Sequence, residues 1–447
     1  MSEWLQCIAC KRRYGVMEIR YTCDCGDLLN VERDSFPDRT IFEPRRASRR
    51  AIDQSGVWRF REAVLDVAEN EIVTHPEGAT RLYSREWGVG GRGSEGRDFR
   101  ESSGLNEPRS GDTREAKGTT ADSNLRHPTP DTRHPICFKH EGENPTGSFK
   151  DRGMTVAMTQ AKRLGARAVA CASTGNTSAS LAAYAAQAGI RAVVFIPAGK
   201  VATGKLAQTL AYGATALAVR GDFDSAMTLV REACDKLGIY LVNSINPFRI
   251  EGQKTIVWEL LQDLEWNAPD WIVVPAGNLG NTSAFGKALR EGFDAGWITT
   301  MPRIASIQAA GANPFFRSYR ESFATRHKIT AETIASAIRI GDPVSHAKAV
   351  TAIQQTNGIV EEVTDDELMS AKREIDEMGI GCEPASATTL AGVKKLRASG
   401  VMRDGERIVC VLTGNLLKDT DAILRNVPQE QTIEIDPTIE AVEKALG

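Results

Sequence analysis

Residues 144–153 read Asn-Pro-Thr-Gly-Ser-Phe-Lys-Asp-Arg-Gly. Pro, Gly and Ser punctuate a turn. Before it, 136–141 (ICFKHE) is a short strand, and after it Asp151–Leu164 carries a helical pattern. The turn therefore presents one amine, that of Lys150, where a helix begins. A helix N-terminus disfavours an added positive charge, so an amine there is drawn toward its neutral form, the form that attacks an aldehyde. On its own, Lys150 also reads as a surface lysine beside Asp151 or as a phosphate-binding lysine, although the G-x4-G-K-[ST] spacing is missing.

Outward from that turn, apolar strands alternate with helical patterns. The first series is a strand at 166–173, a helix at Thr177–Ala188, a strand at Ile190–Ile196, a helix at Lys205–Tyr212, a strand at 216–221 and a helix at Phe223–Leu237. A second series starts at Asp270–Pro275. It passes through Arg303–Gln308, a Ser/Ala helix at 332–338 and Ala347–Thr356, and ends at Ile408–Thr413. This rhythm predicts an α/β protein of two open, mostly parallel α/β domains, with the ligand in the cleft between them at the carboxyl ends of the strands. The small domain is expected at 146–240 and the large one at 36–145 and 241–447.

Two more loops join a strand to a helix. In STGNTSAS (173–180), the hydroxyls and N–H groups around Ser173, Thr174, Asn176 and Thr177 suit a carboxylate, though an ordinary helix cap reads the same way. In PAGNLGNTS (275–283), glycine lets the backbone of Gly277, Asn278, Leu279, Gly280 and Asn281 close over a phosphate. Thr413 ends the last core strand with a neutral hydroxyl. Facing a pyridine nitrogen, it favours replacement and elimination over transamination. Neither H-E-x2-H nor G-x-S-x-G occurs, so hydrolase readings lack support.

The chain has 447 residues, more than one core usually serves, and its net charge of -3 gives no case for nucleic acid or an anionic membrane. No apolar run approaches the roughly 18 residues of a span. The start, Met1-Ser-Glu-Trp, lacks a basic-then-apolar leader, which predicts a cytoplasmic protein. Nine cysteines are too sparse for a disulfide scaffold, but Cys7, Cys10, Cys23 and Cys25 crowd the first 25 residues with strand-like Tyr14–Tyr21 between the pairs. Residues 1–35 thus read as a zinc-ribbon-like segment, holding either a structural zinc or four reduced thiols of a degenerate knuckle. Neither version is catalytic, since four thiolates leave no open position. A helical piece is expected around Ile52–Val67. The insert at 88–133, dense in Gly, Ser, Arg and Asp, cannot order itself through its own core and reads as an excursion.

Taken together, PEGATRLY (76–83), FKHEGENPTGSFKDRGM (138–154), ASTGNTSAS (172–180), NSINPFRIEGQK (243–254), PAGNLGN (275–281) and LTGN (412–415) are specific. From about residue 70 to 420 the chain resembles the tryptophan-synthase-β-like (fold type II) family of pyridoxal-phosphate enzymes, and within it the branch acting on O-phospho-L-homoserine. The resemblance implies that Lys150 forms the Schiff base with pyridoxal 5'-phosphate and Asn176 bonds the cofactor's 3′ oxygen. Gly277, Asn278, Leu279, Gly280 and Asn281 would surround its phosphate, and Thr413 would lie by its ring nitrogen. Ser173, Thr174 and Thr177 would position the substrate, Asn243 and Arg249 would clamp its phosphate with Lys205 assisting, and Phe223 would stack near the ring. The implied reaction is O-phospho-L-homoserine plus water giving L-threonine and phosphate, in an enzyme that is commonly a homodimer. The chain departs from the family at Ala79, where an asparagine is usual, and at the 88–133 insert. Rival readings are a cysteate synthase using O-phosphoserine, a threonine/serine dehydratase, and a non-catalytic relative that binds a protein.

Overall fold

Trp271–Pro275 and Ile408–Leu412 bury every residue, as strands covered by helices on both faces do. They lie at the centre of a six-stranded sheet in a computed structural model that describes residues 2–85, 135–199, 203–221, 223–426 and 433–446. The insert at 88–133 lies outside the described residues, as do the side chains of Lys205 and Phe223.

The first three strands, β1 (Glu3–Cys7), β2 (Arg13–Gly15) and β3 (Leu29–Arg33), form an antiparallel sheet in the order β2-β1-β3. The large sheet combines β4 (Leu82–Arg85) and β5 (Ile136–His140) with four later strands. The small sheet holds β6 (Ala168–Ala172), β7 (Arg191–Pro197), β8 (Thr215–Val219) and β9 (Tyr240–Leu241), all parallel, in the order β8-β7-β6-β9. With β10 (Trp271–Pro275), β11 (Arg303–Ala309), β12 (Ile359–Val363) and β13 (Ile408–Leu412), the large sheet runs β12-β11-β10-β13-β5-β4, parallel except for β4 against β5. Strand order reverses between β10 and β13 and again between β6 and β9. Such reversals open a crevice beyond the carboxyl ends of the strands, and the loops after β5, β6, β9, β10 and β13 all issue there. No helix among the described residues is long and apolar enough to cross a membrane.

Three local expectations are corrected. The stretch Tyr14–Tyr21 keeps only β2, because the Glu18 carboxylate takes the Gly15 N–H at 2.7 Å and turns the chain. The helical piece at Ile52–Val67 is broken into Ala51–Gln54, a 3-10 turn at Trp58–Phe60 and Arg61–Val64. There the Ser55 hydroxyl accepts the N–H groups of Val57 and Trp58, while Gly56 N–H bonds Glu77 O at 2.7 Å. At 332–338 only Ser336–Ile338 is helical, since Asp365 accepts from the Thr333 hydroxyl and the Ile334 N–H and holds that backbone outward. Asp365 itself begins the helix Asp365–Glu377, which Thr364 and Glu367 close with a reciprocal capping box.

Candidate active site

The lysine turn is held from both sides. Thr146 donates its N–H and hydroxyl to the two oxygens of Asp151 at 2.7 and 2.6 Å, and burial pushes that carboxyl up to about 6. On the other side it is stitched to the loop after β13: Phe149 N–H bonds Thr413 O at 3.0 Å and Asn415 N–H bonds Gly147 O at 2.9 Å. Lys150 is the first residue of the helix Lys150–Arg163, with its ammonium 3.9 Å above the Phe149 ring. The side chain keeps some accessible surface but is densely enclosed, and its pKa falls to about 7. Desolvation is the largest cause, the Arg249 guanidinium pushes the same way, and Glu383 opposes them.

The helices that carry Lys150 and Arg249 meet backbone to backbone. A Cβ on Gly252 would stand 1.7 Å from Arg152 O, and one on Gly153 would stand 2.8 Å from Arg249 O. Only glycine permits that approach. Arg249 lies in the helix Pro247–Gln253, 3% exposed, and its Nη1 donates to Val242 O at 3.2 Å. Its Nε has no partner, no carboxylate pairs with it among the described residues, and burial lowers its pKa to about 10. A buried guanidinium without a counterion is a place prepared for an anion.

Ser173, Thr174, Gly175, Asn176 and Thr177 are half-buried between fully buried neighbours. They front the helix Asn176–Ala188, whose N-cap, Gly175, offers no side-chain cap. Asn243 does not point freely toward that opening. Its amide is taken by the main chain of Ala172, accepting the N–H at 3.0 Å and donating to the carbonyl at 3.1 Å, so it anchors the start of the Ser173 loop.

In the third loop Leu279 takes a left-handed φ of 64° and leads the helix Gly280–Asp294, again with no side-chain cap. A Cβ on Gly277 would meet Ile338 Cα at 2.9 Å, so the loop passes closely under that residue. Asn278 braces it by donating to the Ser244 hydroxyl at 3.1 Å and accepting from Val344 N–H at 3.0 Å. Asn281 Oδ1 is buried without a partner. The result is an open cradle of backbone donors at a helix N-terminus.

Thr413 Oγ1 contacts the Ser386 hydroxyl at 3.1 Å and donates to Glu383 Oε1 at 3.3 Å. Sequence reasoning missed Glu383. It sits at the N-cap of Pro384–Ala398 without capping it, 4% exposed, and its Oε2 accepts from Asn176 Nδ2 at 3.0 Å. Burial raises its pKa. A signal was present: glutamate is a poor N-cap, so one before a proline at N1 points to a task elsewhere.

These loops bring together an enclosed amine, a row of backbone donors at a helix N-terminus, a buried guanidinium without a carboxylate partner, and a hydroxyl and an amide spaced by a carboxylate. Pyridoxal phosphate fits that donor set: the uncapped N–H groups at the Gly280 helix end suit a phosphate, and the Lys150 amine, with its pKa lowered to about 7, suits an aldehyde. Fold and site thus define a pyridoxal-phosphate enzyme. A family model described as pyridoxal-phosphate dependent enzyme matches residues 118–414. The threonine synthase of Methanocaldococcus jannaschii is 42% identical over 437 residues, 97% of each chain. That of Mycobacterium bovis is 47% identical over 314 residues, covering 70% of this chain and 84% of its own. The chloroplastic threonine synthase 2 of Arabidopsis thaliana is 38% identical, with 92% of this chain and 75% of its own covered. Among solved structures, an L-serine ammonia-lyase from Rhizomucor miehei superposes with a TM-score of 0.57 at 21% identity, covering 66% of this chain and 94% of that one. Threonine deaminase isoform 2 from Solanum lycopersicum gives 0.55 at 19%, with coverage of 70% and 77%; both likenesses speak for the fold. The chain belongs to the pyridoxal-phosphate dependent enzymes and, among them, to the threonine synthase family.

Proposed function

We propose that this enzyme is a threonine synthase that converts O-phospho-L-homoserine and water to L-threonine and phosphate. The observation that carries the reading is Arg249, a buried guanidinium without a carboxylate partner, in a helix separate from the Gly277–Asn281 cradle. One anion place serves a cofactor phosphate and the other a substrate phosphate, which a dehydratase substrate lacks.

The residues divide the work as follows. The 277–281 backbone and the end of the helix Gly280–Asp294 would hold the cofactor phosphate, Asn176 its ring oxygen, and Thr413 its ring nitrogen. When bound, pyridoxal phosphate supplies the electron sink. Lys150, near pKa 7, takes the substrate's Cα proton as a free amine; removal of a Cβ proton then lets phosphate leave Cγ, Lys150 returns a proton at Cγ, and Cα is reprotonated after water has added at Cβ. Arg249 draws the departing phosphate, and Ser173, Thr174 and Thr177 orient the substrate carboxylate at the uncapped helix end while water adds at Cβ. In the same reading the small domain is 146–240, the large domain is 36–145 with 241–447, and the enzyme works as a cytoplasmic homodimer.

The test is phosphate release from O-phospho-L-homoserine by the purified yellow enzyme, with the amino-acid product identified and O-phosphoserine run alongside. Threonine with equimolar phosphate is expected. Turnover of O-phosphoserine alone moves the enzyme to a sister activity.

A further inference from the structure

The cysteine-bearing segment is tied at three points to stretches that carry candidate site residues. The sulfurs of Cys7, Cys10, Cys23 and Cys25 all lie within 4.8 Å of one another, with Cys7–Cys25 at 3.5 Å, Cys10–Cys23 at 3.4 Å and no disulfide. Four thiolates around a tetrahedral zinc, with Zn–S about 2.3 Å, stand about 3.8 Å apart, inside that range. The Tyr14 hydroxyl touches Cys23 Sγ at 3.1 Å, the kind of outer contact that orients a ligand. The segment's own buried apolar side chains are few: Leu5, Leu29 and Val31 with the two inner cysteines. A unit that small needs a staple.

Three of the contacts that leave the segment reach stretches bearing candidate site residues. Gln160, on the lysine helix, donates to Val16 O at 2.9 Å. The Tyr21 hydroxyl accepts the Leu241 N–H at 2.7 Å, and its ring packs on Tyr240 with centroids 5.8 Å apart, just before Asn243. From β3, Arg33 donates to Glu251 at 3.1 Å, two residues beyond Arg249 on the same helix. Glu251 is fully buried and also holds Lys254 at 2.5 Å and Lys287, whose ammonium bonds Val31 O as well. Lys348 donates to Leu29 O at 2.6 Å. If β3 shifts, a desolvated carboxylate loses a cation, which is far costlier than losing a surface pair.

We propose that the four thiolates hold one zinc ion and that this ion, acting through the Val16–Tyr21 turn and β3, braces the segments carrying Lys150, Asn243 and Arg249. Zinc binding displaces the thiol protons to solvent and changes no oxidation state. The consequence for substrate phosphate rests on the reading of Arg249 above; the brace does not.

Full-length holoenzyme is assayed for metal by mass spectrometry, then compared by hydrogen–deuterium exchange before and after zinc removal with a chelator and a thiol reductant. The expected result is about one zinc per chain and, on its removal, exchange faster by roughly tenfold or more in peptides covering 12–33 and 240–254, reversed by zinc chloride. Tyr21→Phe, which spares the thiols, is expected to keep its zinc and to speed exchange at Leu241 by about tenfold. A zinc-free enzyme with four freely titrating thiols and no response to added zinc overturns the proposal. So does a zinc-loaded enzyme whose 240–254 exchange is indifferent to removal. Inorganic phosphate separates the two readings: protection of 240–254 in the zinc-loaded enzyme supports Arg249 as its site, and no protection sinks that assignment while the zinc result stands by itself.

Discussion

Glu383 Oε2 accepts a hydrogen bond from Asn176 Nδ2 at 3.0 Å, joining the first residue of a helix on the small sheet to the N-cap of a helix packed on the large one. Through Oε1 the same carboxylate holds Thr413, and its field opposes the depression of the Lys150 pKa. It touches or influences three of the residues assigned to the cofactor.

Glu383→Gln keeps the shape and removes the charge. Because the carboxylate favours the Lys150 ammonium, its loss is expected to move the titration of Lys150 to lower pH. Turnover is expected to fall by roughly tenfold or more, with the melting temperature changed little. The pH dependence of cofactor uptake by the apoenzyme, beside steady-state rates, checks both; an unmoved profile would mean that Glu383 only scaffolds.

Lys150 must be neutral to attack an aldehyde. With its pKa depressed to about 7, the rate at which apoenzyme takes up pyridoxal phosphate is expected to rise with pH through about 7 and level off above it. An exposed lysine would give a rise continuing toward its ordinary pKa of about 10.4. Lys150→Ala is expected to lose borohydride-reducible cofactor and multiple turnover together.

Arg249→Met exchanges an unpaired buried charge for an apolar side chain. The apoenzyme is expected to gain stability, on the order of 1–2 kcal/mol. KM for the phosphorylated substrate is expected to rise on the order of 10²-fold, the loss of about 3 kcal/mol of charge-assisted bonding. Calorimetry and kinetics measured on one preparation test the pair, and cofactor absorbance is expected to be unchanged.

Ala79 has a φ of 50°, a left-handed conformation costly for alanine, with its N–H held by Glu259 at 2.8 Å. Ala79→Gly is expected to stabilise the protein by roughly 0.5–1 kcal/mol, read from denaturant midpoints. The asparagine usual at this place in the family tolerates the same backbone better than alanine does.

The alternation of strands and helices, and the three loops bearing Lys150, Asn176 and Gly277, were legible because turn residues and apolar runs are local signals. The task of Glu383 was not, since its partners lie 207 positions away at Asn176 and 30 away at Thr413, and its place before Pro384 signals only that it does not cap. Asn243 was expected to clamp a substrate phosphate, but its amide is committed to the Ala172 backbone by pairing across 71 positions. The break at Ser55–Gly56 escaped for a related reason: a helix-compatible stretch is overridden by a contact with Glu77.

The crossing at Gly153 and Gly252 has a consequence for how the chemistry is tuned. Main chain rests on main chain there, so the spacing of the two helices that carry Lys150 and Arg249 is set by peptide geometry. A single methyl group added at position 252 forces the helices apart, which loosens the enclosure that desolvates Lys150 and weakens the push of Arg249 that keeps its amine reactive near neutrality.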